Sequence, residues 1–283
     1  DFYLNTGEIS KGIGHLKRLV KLDPKNGTGL ILLAEFEYER KELNNAKEYY
    51  LKAILSETLK AKEAIEALNF FLYHKDFKLT DSILENTSNL YSQNDSIMMF
   101  IGDFYLENEN FKKARFCFQR AIESNPGSYS IWEKLLYVLY DSQNWVDLAE
   151  QGKKTIRIFP LKTIPYYMTS VALNQSNQFA LAKQIANEGL LTVSNEAIIQ
   201  SDLQGQIAES YFGLELFNEA IKEYLKAIES AKNEQNEYLT FNFCLRLYEN
   251  NMDLDLSLKL LDGMLNKNGT DFDLLLLKGD VYF

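Results

Sequence analysis

The side chains able to do chemistry in this sequence are few and widely spaced. His15 and His74 are its only histidines and Cys117 and Cys244 its only cysteines, in 283 residues. A metal site or a general base with its partner needs such groups close together. Neither histidine has a second His or Cys at ligand spacing, and helix-end or surface imidazoles are the ordinary reading. Both cysteines sit in apolar stretches, RFCFQ and NFCLR, which suits buried free thiols. Two acidic pairs, Glu107 with Glu109 and Asp253 with Asp255, have the right groups for general acid–base work. They stand in turns and at helix starts, where carboxylates are simply solvated. No phosphate-cradling GxxxxGK[ST] loop, GxGxxG, HExxH or CxxC occurs. No catalytic residue, metal site or cofactor is therefore assigned, and the chain reads as non-enzymatic. Sequons at Asn26, Asn86, Asn94, Asn174 and Asn268 carry little weight in an asparagine-rich chain.

Composition narrows the classes further. Lys and Arg number 30 against 40 Asp and Glu, a net charge of −10, which opposes the attraction to phosphate on which nucleic-acid binding depends. A basic or neutral partner fits better. With 46% hydrophobic and 13% aromatic residues there is ample material for a core. Four prolines and scattered glycines leave no stretch that looks like a linker. No apolar run reaches the roughly 18 residues of a membrane span; LLLLK at 274–278 is too short. Because the chain starts at Asp1 rather than Met, its N-terminus is expected to be trimmed, and a cytoplasmic and an exported location both stay open.

What must be positioned is thus packing, and the elements follow from residues 101–126, IGDFYLENENFKKARFCFQRAIESNP. Met98, Ile101, Gly102 and Tyr105 precede a polar turn; Phe111, Ala114, Phe118 and Ala121 follow it; Pro126 closes the unit. This is the i, i+3, i+4, i+7 pattern of two amphipathic helices. Two antiparallel helices approach closely where facing residues are small, and Gly102, Ala114 and Ala121 are the hollows that receive neighbouring rings. Thirty-four residues later Trp145 and Pro160 repeat Phe111 and Pro126. The arrangement resembles the tetratricopeptide repeat, whose 34-residue pattern is W-x2-L-G-x2-Y, A-x3-F and P. Stepping by that period gives units starting near 27, 61, 95, 129 and 163; further units start near 201 and 238, four and three residues late, with the insertions expected in the turns between repeats. Residues 1–26 and 272–283 read as partial units, so the chain is expected to be an excerpt of a longer array. The unit from 129 has Leu136 and Leu148 at small-residue positions and Gly152 at an aromatic one, and the unit from 238 has Ser257 and Met264 for alanines.

The resemblance implies one all-α, right-handed superhelical solenoid of antiparallel helix pairs over residues 1–283, with about seven pairs and no sheet. It also implies a groove lined by the second, fifth, ninth, twelfth and thirteenth positions of each repeat. Those positions nominate Met99, Asp103 and Leu106, then Glu133, Tyr137 and Tyr140, then Tyr167, Val171 and Asn174. Such a surface suits a protein or peptide partner with apolar anchors and some basic character. The lysine and asparagine clamp by which some members hold a terminal carboxylate is not matched: its positions hold Ile31, Glu35, Ile65, Asn69, Met99 and Asp103. The expected function is a non-catalytic interaction scaffold. The alternatives are the regulatory or substrate-presenting arm of an enzyme whose catalytic domain lies outside this chain, and a self-associating array. The degenerate Asn- and Lys-rich repeats are similar to those of long bacterial multi-repeat proteins, some of them exported to the cell envelope.

Overall fold

The structure is a computed structural model and describes residues 9–74, 77–192, 197–231, 234–268 and 271–282. Residues 1–8 of the expected first partial unit, Phe283 of the last, and the side chains of Ile9, Phe77 and Asn268 lie outside the described residues.

Sixteen α-helices and no strand make up the described residues. Helix α1, Ile9–Leu22, precedes seven pairs: α2 Gly27–Glu39 with α3 Leu43–Leu55, α4 Ala61–Tyr73 with α5 Phe77–Leu90, α6 Asp95–Glu107 with α7 Phe111–Ser124, α8 Tyr129–Asp141 with α9 Trp145–Ile158, α10 Thr163–Gln175 with α11 Phe179–Leu190, α12 Ala197–Gly213 with α13 Phe217–Ser230, and α14 Glu234–Glu249 with α15 Leu254–Asn268. Helix α16, Phe272–Tyr282, follows. The all-α repeat fold is the expected one.

Local signals explain the helix ends. Asparagines cap N-termini: Asn26, Asn94, Asn110 and Asn144 accept from the backbone N–H three residues on, at 2.9, 3.1, 3.3 and 3.4 Å, satisfying a donor the helix cannot. Two of the five sequon asparagines are thus helix caps. Six of the turns inside pairs close in one way. Lys41, Glu109, Gln143, Asn177, Glu215 and Asn251 have φ between 51° and 65°, and the next residue's N–H donates five residues back, as in Glu42→Glu37 and Asn110→Tyr105, at 2.9 and 2.8 Å. This left-handed cap reverses the chain within three residues, and none of the six is a glycine.

In the late repeats the first helix lengthens. The first helices of the earlier pairs, α2, α4, α6, α8 and α10, have 13 residues each, but α12 has 17 and α14 has 16. A turn of helix, 197–200 and 234–237, thus precedes positions 201 and 238. A turn of helix keeps its backbone hydrogen bonds internal, which a longer loop would not.

Two compact units, residues 1–138 and 139–283, divide the chain, the division falling inside α8. In the first, Ala34, Ala46, Ala53, Ala114 and Ala121 are fully buried, and Gly102 lies so close to the Phe118 ring that a Cβ would sit 2.7 Å from it. Thr80 and Thr87 take the small-residue places in the unit from 61, their hydroxyls donating to the carbonyls of Phe71 at 3.3 Å and Ile83 at 2.7 Å. In the second unit Ala208, Phe212, Ala220, Tyr224, Phe243 and Leu247 form one buried cluster, with Tyr224 stacked on Phe243 at 5.0 Å. The departures from the pattern are absorbed locally. Leu136 and Leu148 are fully buried, Thr169 fills the space above Gly152, and buried Ser257 donates to the carbonyl of Cys244 at 3.5 Å.

Candidate functional site

The residues with reactive side chains lie apart from one another. Cys117 and Cys244 are buried and unbridged, and burial pushes their thiols up to about 12 and about 11, away from the reactive thiolate. His74 ends α4 among Tyr38, Phe70 and Tyr73. Glu107, Glu109, Asp253 and Asp255 are exposed. Among the described residues no three His, Cys, Asp or Glu side chains gather as metal ligands would, and no helix is long and apolar enough to cross a membrane.

The nominated residues fall in both units. In the first, Met99, Asp103 and Leu106 follow one another along one face of α6 at i, i+4 and i+7, all half-buried, and Glu133 and Tyr137 lie on α8. Tyr137 is exposed at 40%. Both carboxylates already have partners: Lys134 Nζ lies 2.5 Å from Asp103, and the Tyr129 hydroxyl donates to Glu133 at 3.0 Å. Asp103 thus meets a lysine of the chain itself and Glu133 a neutral hydroxyl.

In the second unit the first helices α10, α12 and α14 stack side by side, and each turns one face into a cleft of about 350 Å³. Helix α10 contributes Tyr167, Val171 and Asn174, α12 contributes Gly205, Gln206 and Glu209, and α14 contributes Tyr238, Asn242 and Arg246; Tyr140 comes from the end of α8. Four nominated residues thus meet here. Val171 is buried and forms floor. Asn174 is occupied, its Nδ2 donating to the Gln206 carbonyl at 2.9 Å and its Oδ1 accepting from Ser210 Oγ at 2.8 Å. Tyr167 donates its hydroxyl to Tyr140, and burial raises both phenols above the usual tyrosine range, so each is a neutral ring with a polar tip.

Charge in the cleft is ordered. The Arg246 guanidinium meets Glu209 with Nε at 2.9 Å and Nη2 at 2.8 Å, and its Nη1 meets Glu249 at 2.7 Å. The hydrogen bonds from Arg246 to Glu209 hold its own protonation more firmly than usual, and Tyr224 donates to Glu209 from below. Beside the rings lies Asp202, whose carboxyl burial pushes up to about 6 against the opposing hydrogen bond from Gln235.

Glu209, Asn242, Arg246, Tyr238 and Asp202 were not nominated from the sequence. The signal was present for four of them: the same groove positions, carried past Asn174 into the units from 201 and 238, select Asp202, Gly205 and Glu209, then Asn242, Arg246 and Glu249. Tyr238 lies one residue outside that set and is 56% exposed. Only the stacking of α12 on α14 brings it to the cleft.

A family model for the tetratricopeptide repeat matches residues 96–128 and 201–234. No curated protein matches the sequence. Among solved structures, the Cut9–Hcn1 hetero-tetramer of APC/C aligns with 96% of this chain and 52% of its own at TM-score 0.54 and 11% identity. Yeast Tom70 aligns with 96% and 58% at 0.50 and 16% identity. YrrB, described as a TPR protein with an unusual peptide-binding site, aligns with 78% and 94% at 0.48 and 14% identity.

Proposed function

We propose, taking as premise that this chain is a tetratricopeptide repeat protein, that it is a non-catalytic scaffold which binds an extended or helical segment of another polypeptide in the cleft of its second unit. One observation carries the reading: three stacked helices and the end of α8 line a single cleft with Tyr140, Tyr167 and Tyr238 and with the hydrogen-bonding groups of Asn242 and the Glu209–Arg246 pair. Tyrosine rings present large area and hold few torsions, so ordering them against a partner costs little. The fixed polar groups supply register, as expected of a site with an apolar wall and a few placed donors and acceptors. An acidic chain with net charge −10 favours partners carrying positive charge.

The test is selection of binders from a displayed random peptide library, followed by titration of the selected peptides against the chain and its Tyr238→Ala variant. Because Tyr238 is exposed, the variant should melt as the parent does while losing about 1–3 kcal/mol of binding, the range of an anchor residue. Selected peptides that bind the variant undiminished, or failure to select any, overturn the reading.

A further inference from the structure

Asp202 differs from four other sheltered carboxylates, each of which meets a basic side chain. Glu37 has Lys17 and Arg40 at 3.7 and 3.8 Å, Asp81 has Lys113 at 2.8 Å, Asp103 has Lys134 at 2.5 Å and Glu209 has Arg246 at 2.8 Å. Among the described residues no lysine or arginine approaches Asp202; its partner is the neutral amide of Gln235. Tyr140 and Tyr167, which line the cleft together with Tyr238, lie near enough to Asp202 for its charge to act on both phenols, and Asp202 stands one turn before the cleft-lining Gly205 and Gln206 on α12. A carboxylate backed by neutral tyrosine faces is what a desolvated cation needs: direct charge on one side and ring quadrupoles on the others. The rest of the cleft argues against the opposite sign. Its one arginine, Arg246, is already engaged by Glu209 and Glu249, leaving no uncommitted positive charge for an acidic ligand.

The geometry points to a cation subsite at this end of the cleft, in which Asp202 and the rings of Tyr140, Tyr167 and Tyr238 receive one lysine or arginine side chain of the bound polypeptide. This rests on the cleft being the peptide site and adds the chemistry of one of its pockets.

The subsite also carries a pH dependence. The groups near Asp202 are Tyr140 and Tyr167, which carry no charge between pH 5 and 8, and Gln235; among the described residues no charged side chain of α10, α11, α13 or α14 acts on it. With its carboxyl titrating at about 6, the free site is mostly ionised at pH 7 and mostly neutral at pH 5. A ligand that needs the ionised form then binds more weakly in proportion to the fraction ionised, roughly tenfold between those two values.

The experiment uses the library-selected peptides on the whole chain. Selected peptides should share a basic residue, and replacing it by glutamine should weaken binding about tenfold or more. Asp202→Asn, which keeps an acceptor for Gln235, should cost the same, make the glutamine replacement nearly silent, and flatten the response between pH 7 and pH 5; its melting curve verifies folding. Peptides that lose affinity with Tyr238→Ala, yet share no basic residue and ignore Asp202→Asn, overturn the subsite and leave the cleft standing. Peptides indifferent to both substitutions remove the cleft and the subsite together.

Discussion

Asp103 and Asp202 show how little a residue type says by itself. Both are half-buried aspartates on first helices, but Lys134 reaches one and only an amide reaches the other. The second therefore has a stability consequence. A carboxyl whose folded pKa is raised binds its proton more tightly in the native than in the unfolded chain. Stability then falls as pH rises from the unfolded value near 3.8 through the folded value of about 6, because the native state holds the extra proton across that window. Asp202→Asn removes the burden: thermal melts at pH 7 should show the variant more stable than the parent, and the gap should close below about pH 4, where both states of the parent are protonated. A constant gap at all pH values would assign the effect to packing. Tyr137, exposed at 40%, belongs to a different case. Tyr137→Ala should leave the melting temperature within error of the parent, since surface truncations away from the core usually change stability by no more than about 0.5 kcal/mol.

Between helices, space decides. Gly102 faces the Phe118 ring, where a Cβ would come within 2.7 Å of a ring carbon, and Phe118 is fully buried and unable to withdraw. Gly263, inside α15, has nothing within 4 Å of its would-be Cβ. The two substitutions to alanine gain the same helix propensity but should diverge. Gly263→Ala should stabilise by about 0.5–1 kcal/mol, whereas Gly102→Ala should destabilise on balance, overpacking costing about 1–3 kcal/mol; paired chemical denaturations measure both. Lys112 occupies the first turn of α7 and is exposed, so Lys112→Leu is a neutral control for changes inside the same pair.

At the scale of the whole molecule, stability passes from neighbour to neighbour. In a repeat array each pair contacts only adjacent pairs, and a local weakness is shared with those it touches. Ala114 is fully buried in α7, which packs on α6, itself in contact with α4 and α5. Ala114→Leu should accelerate amide exchange in α5 and α6 as well as α7, while α14 and α15, within the other compact unit, keep their protection. Acceleration confined to α7 would mean that repeats open independently.

The helix-pair fold was readable without coordinates because it depends on side-chain size at fixed intervals. Gly102, Ala114 and Ala121 admit the rings that Tyr105 and Phe118 supply, and Pro126 and Pro160 end helices wherever they occur. Such requirements are local and recur, so one chain states them many times over. The candidate site was legible only in part. Its positions recur with the repeat, but whether a carboxylate there is available depends on what the next helix brings opposite it. Lys134 reaching Asp103, Arg246 reaching Glu209, and the amide of Gln235 reaching Asp202 are contacts between residues about 30 positions apart. The slip before α12 and α14 is visible in the sequence as a number, whereas the added helical turns at 197–200 and 234–237 emerge only with the backbone hydrogen bonding of the folded chain.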